Sequence, residues 1–256
     1  WQSPAVTAHA NDVNKMLSFM AIGFFFYDLI LSIPFDRKVL TGQKSLKWVH
    51  FAYFGTKISF LGFIGVLLSI FWAQKDMNCT LQFRVLEFFM GTTVFTSSSL
   101  LAFRTLCVFQ GKYRNVIKGI LAVLGIGMLA AWMQGVDDVS AFWDTSPGFA
   151  PYTEGRCHWT SVTNTYWVKY IITIIFDATV LGFTTIGIAR MAGTSKLGMT
   201  LIQQGFIYFF LTFLANLIIA IFTLLQLSPS MSLLVAVPQS AICVICSCRL
   251  HRELAE

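Results

Sequence analysis

Seven long apolar runs divide the chain, at about 15–35, 48–72, 81–107, 116–135, 166–189, 197–225 and 231–248. Each is near or above the roughly 20 residues that a helix needs to cross a bilayer. The runs are apolar on all sides, as in Gly23–Phe26 and 206–214, so they do not read as one-sided stripes of a soluble core. Charged residues make up only 12% of the 256 positions, about half the share of an ordinary soluble domain. Strands of a membrane barrel would alternate apolar and polar residues, and these runs do not. The expected fold is all-α, a single seven-helix membrane domain covering residues 1–256.

Basic residues give the orientation. One side of the expected bundle holds Arg37, Lys38, Lys44, Lys47, Arg104, Lys112, Arg114, Lys118, Arg190, Lys196, Arg249 and Arg252. The other side holds Lys15, Lys75, Arg84 and Arg156, with Lys169 just inside the membrane, and an acidic loop carrying Asp137, Asp138, Asp144 and Glu154. Basic loops stay cytosolic, so the N-terminus is expected outside and the C-terminus inside. The net charge of +6 then reads as topology and attraction to anionic lipid. Nothing gathers it into a groove for nucleic acid. Nothing in residues 1–14 resembles a signal peptide. The expected location is the plasma membrane or another membrane of the secretory pathway.

That orientation puts Cys79, at the start of helix 3, and Cys157, in the loop after helix 4, together in the oxidising compartment. A bridge between them would pin the second outer loop over the mouth of the bundle; the alternative is two free thiols. Cys107, Cys243, Cys246 and Cys248 fall at inner helix ends. Cys246 and Cys248 precede a basic amphipathic tail and are candidates for palmitoylation, with apolar packing as the plainer role. Asn78-Cys79-Thr80 is a glycosylation sequon, expected to be mostly unused because it abuts the membrane.

The layout resembles that of rhodopsin-like receptors: seven spans, a cysteine opening helix 3, a second in the following outer loop, and an arginine, Arg104, 25 positions after the first. The sequence departs from that family at Phe103, which stands where an acid precedes the arginine. It lacks Trp-x-Pro in helix 6, and Val237-Pro238 lacks the Asn and Tyr that flank the helix-7 proline. No lysine lies in helix 7, so a retinal Schiff base is excluded; Lys57 and Lys169 are in other helices. A closer resemblance is to a group of uncharacterised fungal seven-helix membrane proteins. It is carried by Phe26-Tyr27-Asp28, Pro34-Phe35-Asp36-Arg37-Lys38, Lys47-Trp48 and the closing Cys248-Arg249-Leu250-His251-Arg252. Bound lipid or sterol is expected, and no other cofactor and no metal.

Ionisable groups at membrane depth mark functional candidates. Asp28 and Lys57 lie at matching depths, roughly 10 and 13 Å from the inner side at 1.5 Å per residue, so an ion pair between them is expected. Asp177 lies near mid-membrane in helix 5, where a carboxylate lacking a cation is expected to be neutral. Its candidate partners are Lys57 and the helix-3 hydroxyls. Glu87 is expected to pair with Arg84 or Lys169. Thr92, Thr93 and Thr96, with Trp159 and Trp167, are candidates for a ligand-pocket wall; the alternative for the threonines is backbone-bonded hydroxyls that allow close helix packing. Asn216 reads as an inter-helix hydrogen-bonding group.

Enzyme motifs are lacking: no His-Glu-x-x-His, no Gly-x-Ser-x-Gly and no nucleotide loop. Three functions fit the composition. The first is a receptor for a small or lipidic ligand, with Arg104 and the basic inner loops facing a cytosolic partner. The second is a membrane-organising protein acting as a homo-oligomer. The third is a transporter or channel built on Asp28, Lys57 and Asp177.

Overall fold

The computed structural model describes residues 4–42, 48–72, 77–109, 112–137, 139–144, 156–162, 167–191, 196–225 and 235–255. Lys75, Glu154 and the start of the seventh run, 231–234, lie outside them, as does the side chain of Trp159. Helix α1 covers Pro4–Leu40, α2 Trp48–Phe71, α3 Cys79–Val108 and α4 Lys112–Asp137. Strands β1 (Val139–Asp144) and β2 (Arg156–Val162) follow, then α5 (Val168–Met191), α6 (Lys196–Leu224) and α7 (Ala236–Ala255).

Among the described residues six helices are long and apolar enough to cross a membrane, with spans at Asp12–Leu40, Trp48–Phe71, Cys79–Cys107, Tyr113–Asp137, Val168–Gly187 and Phe206–Leu224. Helix α7 is described from Ala236, and Arg249, Arg252 and Glu253 stand in its second half. The outside of the bundle is built for lipid. Phe24, Ile30, Ile58, Val123 and Ile126 are each more than 60% exposed, and a water-facing patch of this kind would be costly. This is a helical membrane protein.

Two helices outrun the apolar segments that predict them. Helix α1 begins at Pro4, a residue suited to a first helical turn because it has no N–H to leave unpaired. It passes through Pro34 and ends at Leu40, and Gly42 just beyond, at a φ of 74°, closes the turn with an N–H bond to the Val39 carbonyl. Its buried face repeats every three or four residues: Ser18, Ala21, Phe25, Asp28, Ser32, Phe35 and Val39. Helix α7 continues to Ala255 because Leu250 is buried and Arg249 and Arg252 are held by α1.

Helix α3 is the hub, packing against α2, α4, α5, α7 and β1, while α7 also touches α1, α2 and α6. The second outer loop of the sequence reading contains the only strands among the described residues. β1 and β2 pair antiparallel, Val139 opposite Val162 and Trp143 opposite Cys157, with Thr160 bulged out between. Val139 and Ala141 turn inward and Phe142 outward, the period of two of a strand lying on a core. The hairpin is fixed over the N-terminal end of α3 twice. Cys79 and Cys157 form a disulfide with Cα atoms 5.5 Å apart, and the Thr80 hydroxyl donates to the Ala141 carbonyl at 2.6 Å. Asn78 caps α3, its side-chain oxygen accepting from the Leu81 N–H at 3.1 Å.

The bridge closes a sequence separation of 78 residues. Its loss through Cys79→Ser is expected to cost about 2–4 kcal/mol, read as a lower melting temperature in detergent. Wild type should fall to the variant's value on reduction, and identical melts under oxidising conditions would show that the strap adds nothing to stability.

Candidate functional site

Three buried polar clusters lie along the bundle. The first is beneath the hairpin. Lys169, the second residue of α5, donates to Glu87 of α3 at 2.6 Å, and both side chains are almost fully buried. The ammonium also lies 4.6 Å from the Trp132 ring and 5.3 Å from that of Tyr170, a cation–π arrangement strengthened by the dry surroundings. Gly135 of α4 makes room for it, since a Cβ there would sit 3.0 Å from the lysine stem. The Trp132 indole N–H donates to Thr173 at 3.0 Å, which ties α4 to α5. Of the two partners expected for Glu87, Lys169 is the one observed; Arg84 faces Asp137 at 3.7 Å on the surface. Trp167 stands at the partly exposed start of α5.

The α3 hydroxyls mostly serve their own helix. Thr92 donates to the Phe88 and Phe89 carbonyls, Thr93 to Phe89 and Thr96 to Thr92, all within 3.0 Å. The Thr96 methyl packs where Gly55 lets α2 approach, 3.5 Å from a Cβ built there. Two hydroxyls of α3 reach α5: Thr105 meets Thr184 at 2.8 Å, and Ser98 opens the second cluster.

Ser98 donates to one oxygen of Asp177 at 3.1 Å. The side-chain N–H of Asn216, on α6, donates to the other. Asn216 in turn accepts from the Gln239 amide of α7, and Gln239 accepts from Ser240 at 3.3 Å and lies 3.6 Å from the Cys243 sulfur. All of these residues are buried. Four helices thus meet through one chain of side chains, centred on the carboxylate. Lys57, an expected partner of Asp177, is bound elsewhere.

The third cluster, at the end away from the disulfide, corrects the expected Asp28–Lys57 pair. Lys57 donates to Asp36 and to Ser32, each at 2.6 Å, and Tyr53 donates to the same aspartate at 2.8 Å. Asp28 instead accepts from Arg249 and Arg252 of α7, both at 2.7 Å. Both differences have one cause. The apolar runs end at Phe35 and Cys248, whereas α1 and α7 continue to Leu40 and Ala255 and bring further charges onto the shared face. The spacing of four that puts Asp28, Ser32 and Asp36 on one side of α1, matched by Tyr53 and Lys57 on α2, was the available signal.

Nearby, Glu253 accepts from Tyr208 at 3.1 Å and attracts the half-buried Arg104 of α3. Cys246 and Cys248 are buried, the latter at 1% exposure. An acyl chain could reach them only if α7 left its packed position. Cys107 is exposed.

The chain matches no protein-family model, and no curated protein is similar to it in sequence.

Breaking a buried pair strands a charge and typically costs about 3–5 kcal/mol. Lys169→Met is therefore expected to destabilise strongly, and Lys169→Met with Glu87→Gln to recover most of the loss, measured as a double-mutant cycle of detergent melts. The same logic separates the two acids of α1: Asp36→Asn should rescue Lys57→Met, and Asp28→Asn should not. Rescue by Asp28→Asn alone would restore the rejected pairing.

Proposed function

We propose that the protein is a receptor-like seven-helix membrane protein, with its N-terminus outside, that takes a small or lipidic ligand at the hairpin-covered end. The observation that carries this reading is the lid: a hairpin bridged to the first residue of α3, next to a buried Glu87–Lys169 pair ringed by Trp132 and Tyr170. Such a pair is costly to bury and adds little stability over apolar packing. Its position just beneath a covalently fixed lid therefore supports a binding role. Intramembrane charges are in general functional candidates.

Helix α3 begins at the lid and ends near Arg104, so a change at the covered end has a rigid element to act on. In this reading the basic loops around Arg104 face the cytosol and a partner there. The resemblance to uncharacterised fungal seven-helix proteins agrees with this layout but assigns no ligand.

Native mass measurement of the detergent-extracted protein tests the proposal. A monomer or dimer that retains a small co-purifying molecule is expected, and Lys169→Met with Glu87→Gln should release that molecule. A stable large homo-oligomer with nothing retained would favour the membrane-organising role instead.

A further inference from the structure

We propose that Asp177 is a binding site for one monovalent cation, either a proton or an alkali ion. The inference does not depend on the receptor reading. Asp177 is 5% exposed, and an isolated ionised carboxylate in such surroundings is prohibitively costly. Among the described residues the other two buried acids and the part-buried Asp36 each have a cationic partner: Asp28 has two arginines, Glu87 has Lys169 and Asp36 has Lys57. Asp177 has none among the described residues. Its two oxygens receive only the neutral donors Ser98 and Asn216. Helix α7 adds Gln239 and the Cys243 thiol, which lies close enough to feel the carboxylate's charge, and among the described residues no ion pair reaches Asp177 from α3, α4, α6 or α7.

The direction of the hydrogen bonds sharpens the point. Gln239 donates to Asn216, Asn216 donates to Asp177, and Ser98 donates to Asp177. Both groups that reach the carboxylate donate to it, as they would to an anion; a carboxyl proton would need the Ser98 hydroxyl to turn, or the Asn216 amide to flip, to find its acceptor. As arranged, the site is a negative charge in a ring of neutral dipoles, and it is completed by one positive charge.

An alkali ion would draw on the carboxylate and the Ser98 hydroxyl as oxygen ligands, with the Asn216 amide turned to offer its oxygen in place of its N–H groups. A proton completes it by reversing the relay. The Asn216 amide turns to present its oxygen to the new O–H, its nitrogen then donates to the Gln239 oxygen, and the Gln239 nitrogen turns toward Ser240 on α7. Amide rotation needs no change of backbone, because the two ends of an amide have nearly the same shape.

The test uses the purified full chain in lipid nanodiscs and reads melting temperature. The probes are sodium chloride, with choline chloride holding ionic strength constant, and pH varied at fixed sodium. An occupant that binds the folded state alone stabilises it by mass action. Wild type is expected to gain about 5 °C as the probe rises from its dissociation constant to a hundredfold above it. A rise with sodium identifies the alkali ion; a rise with acidification identifies the proton. In either case Asp177→Asn should remove that dependence. Should this variant fail to fold, Asn216→Asp adds a second carboxylate beside the first and should steepen the dependence. Wild-type melts that respond to neither probe would overturn the proposal. So would a response that Asp177→Asn retains, or one that Asn216→Asp leaves unchanged.

Discussion

A charged or polar group in hydrocarbon must find its partners inside the protein, and in this bundle four acids decide which helices meet. Asp28 joins α1 to α7, Asp36 joins α1 to α2, and Glu87 joins α3 to α5. Asp177 gathers α3, α5, α6 and α7. Apolar packing between helices has little to gain over packing against lipid tails, so these directional contacts carry much of the specificity of assembly. Helix α4, which none of these four acids joins, is tied to α5 by the indole of Trp132 and by the fit of Lys169 over Gly135.

The clusters also divide labour along the bundle axis. At the disulfide end the charges are dry and capped by a lid. At the other end Arg249 is partly exposed, and the ion pairs grade toward the surface. Between them lies a chain made of neutral amides and hydroxyls around one acid. Helix α7 takes part in both the middle and the far cluster, through Gln239 and through Arg249 with Arg252. Its position is therefore fixed by two unrelated sets of contacts, each with a different charge balance.

Much of this was legible in the residues. Apolar runs gave the helices, because burial in lipid leaves a composition signal too long to mistake. The bridge between Cys79 and Cys157 followed from placing both on one side of the bilayer. Helix ends were less legible, because an apolar run marks hydrocarbon and a helix can continue into the headgroups. That shortfall misassigned Lys57. The hairpin was read as a plain loop, although Val139, Phe142 and Trp143 and then Trp159, Thr160 and Val162 are strand-forming residues. The relay from Asp177 to Gln239 was half visible: Asn216 read as an inter-helix donor, but no spacing rule links residues on three different helices. Of the α3 hydroxyl run, sequence could not say that Ser98 would reach outward while Ser97 and Ser99 bond back to their own helix.

The contact between Asp28 and Arg249 spans 221 positions, from the first helix to the last. A ribosome delivers α1 to the bilayer long before it makes α7. Throughout that interval the aspartate has neither of its arginines, so the nascent first helix must linger at the translocation channel, stay near the headgroups or carry its acid uncharged. Final seating of α1 against this partner therefore waits until α7 has been made.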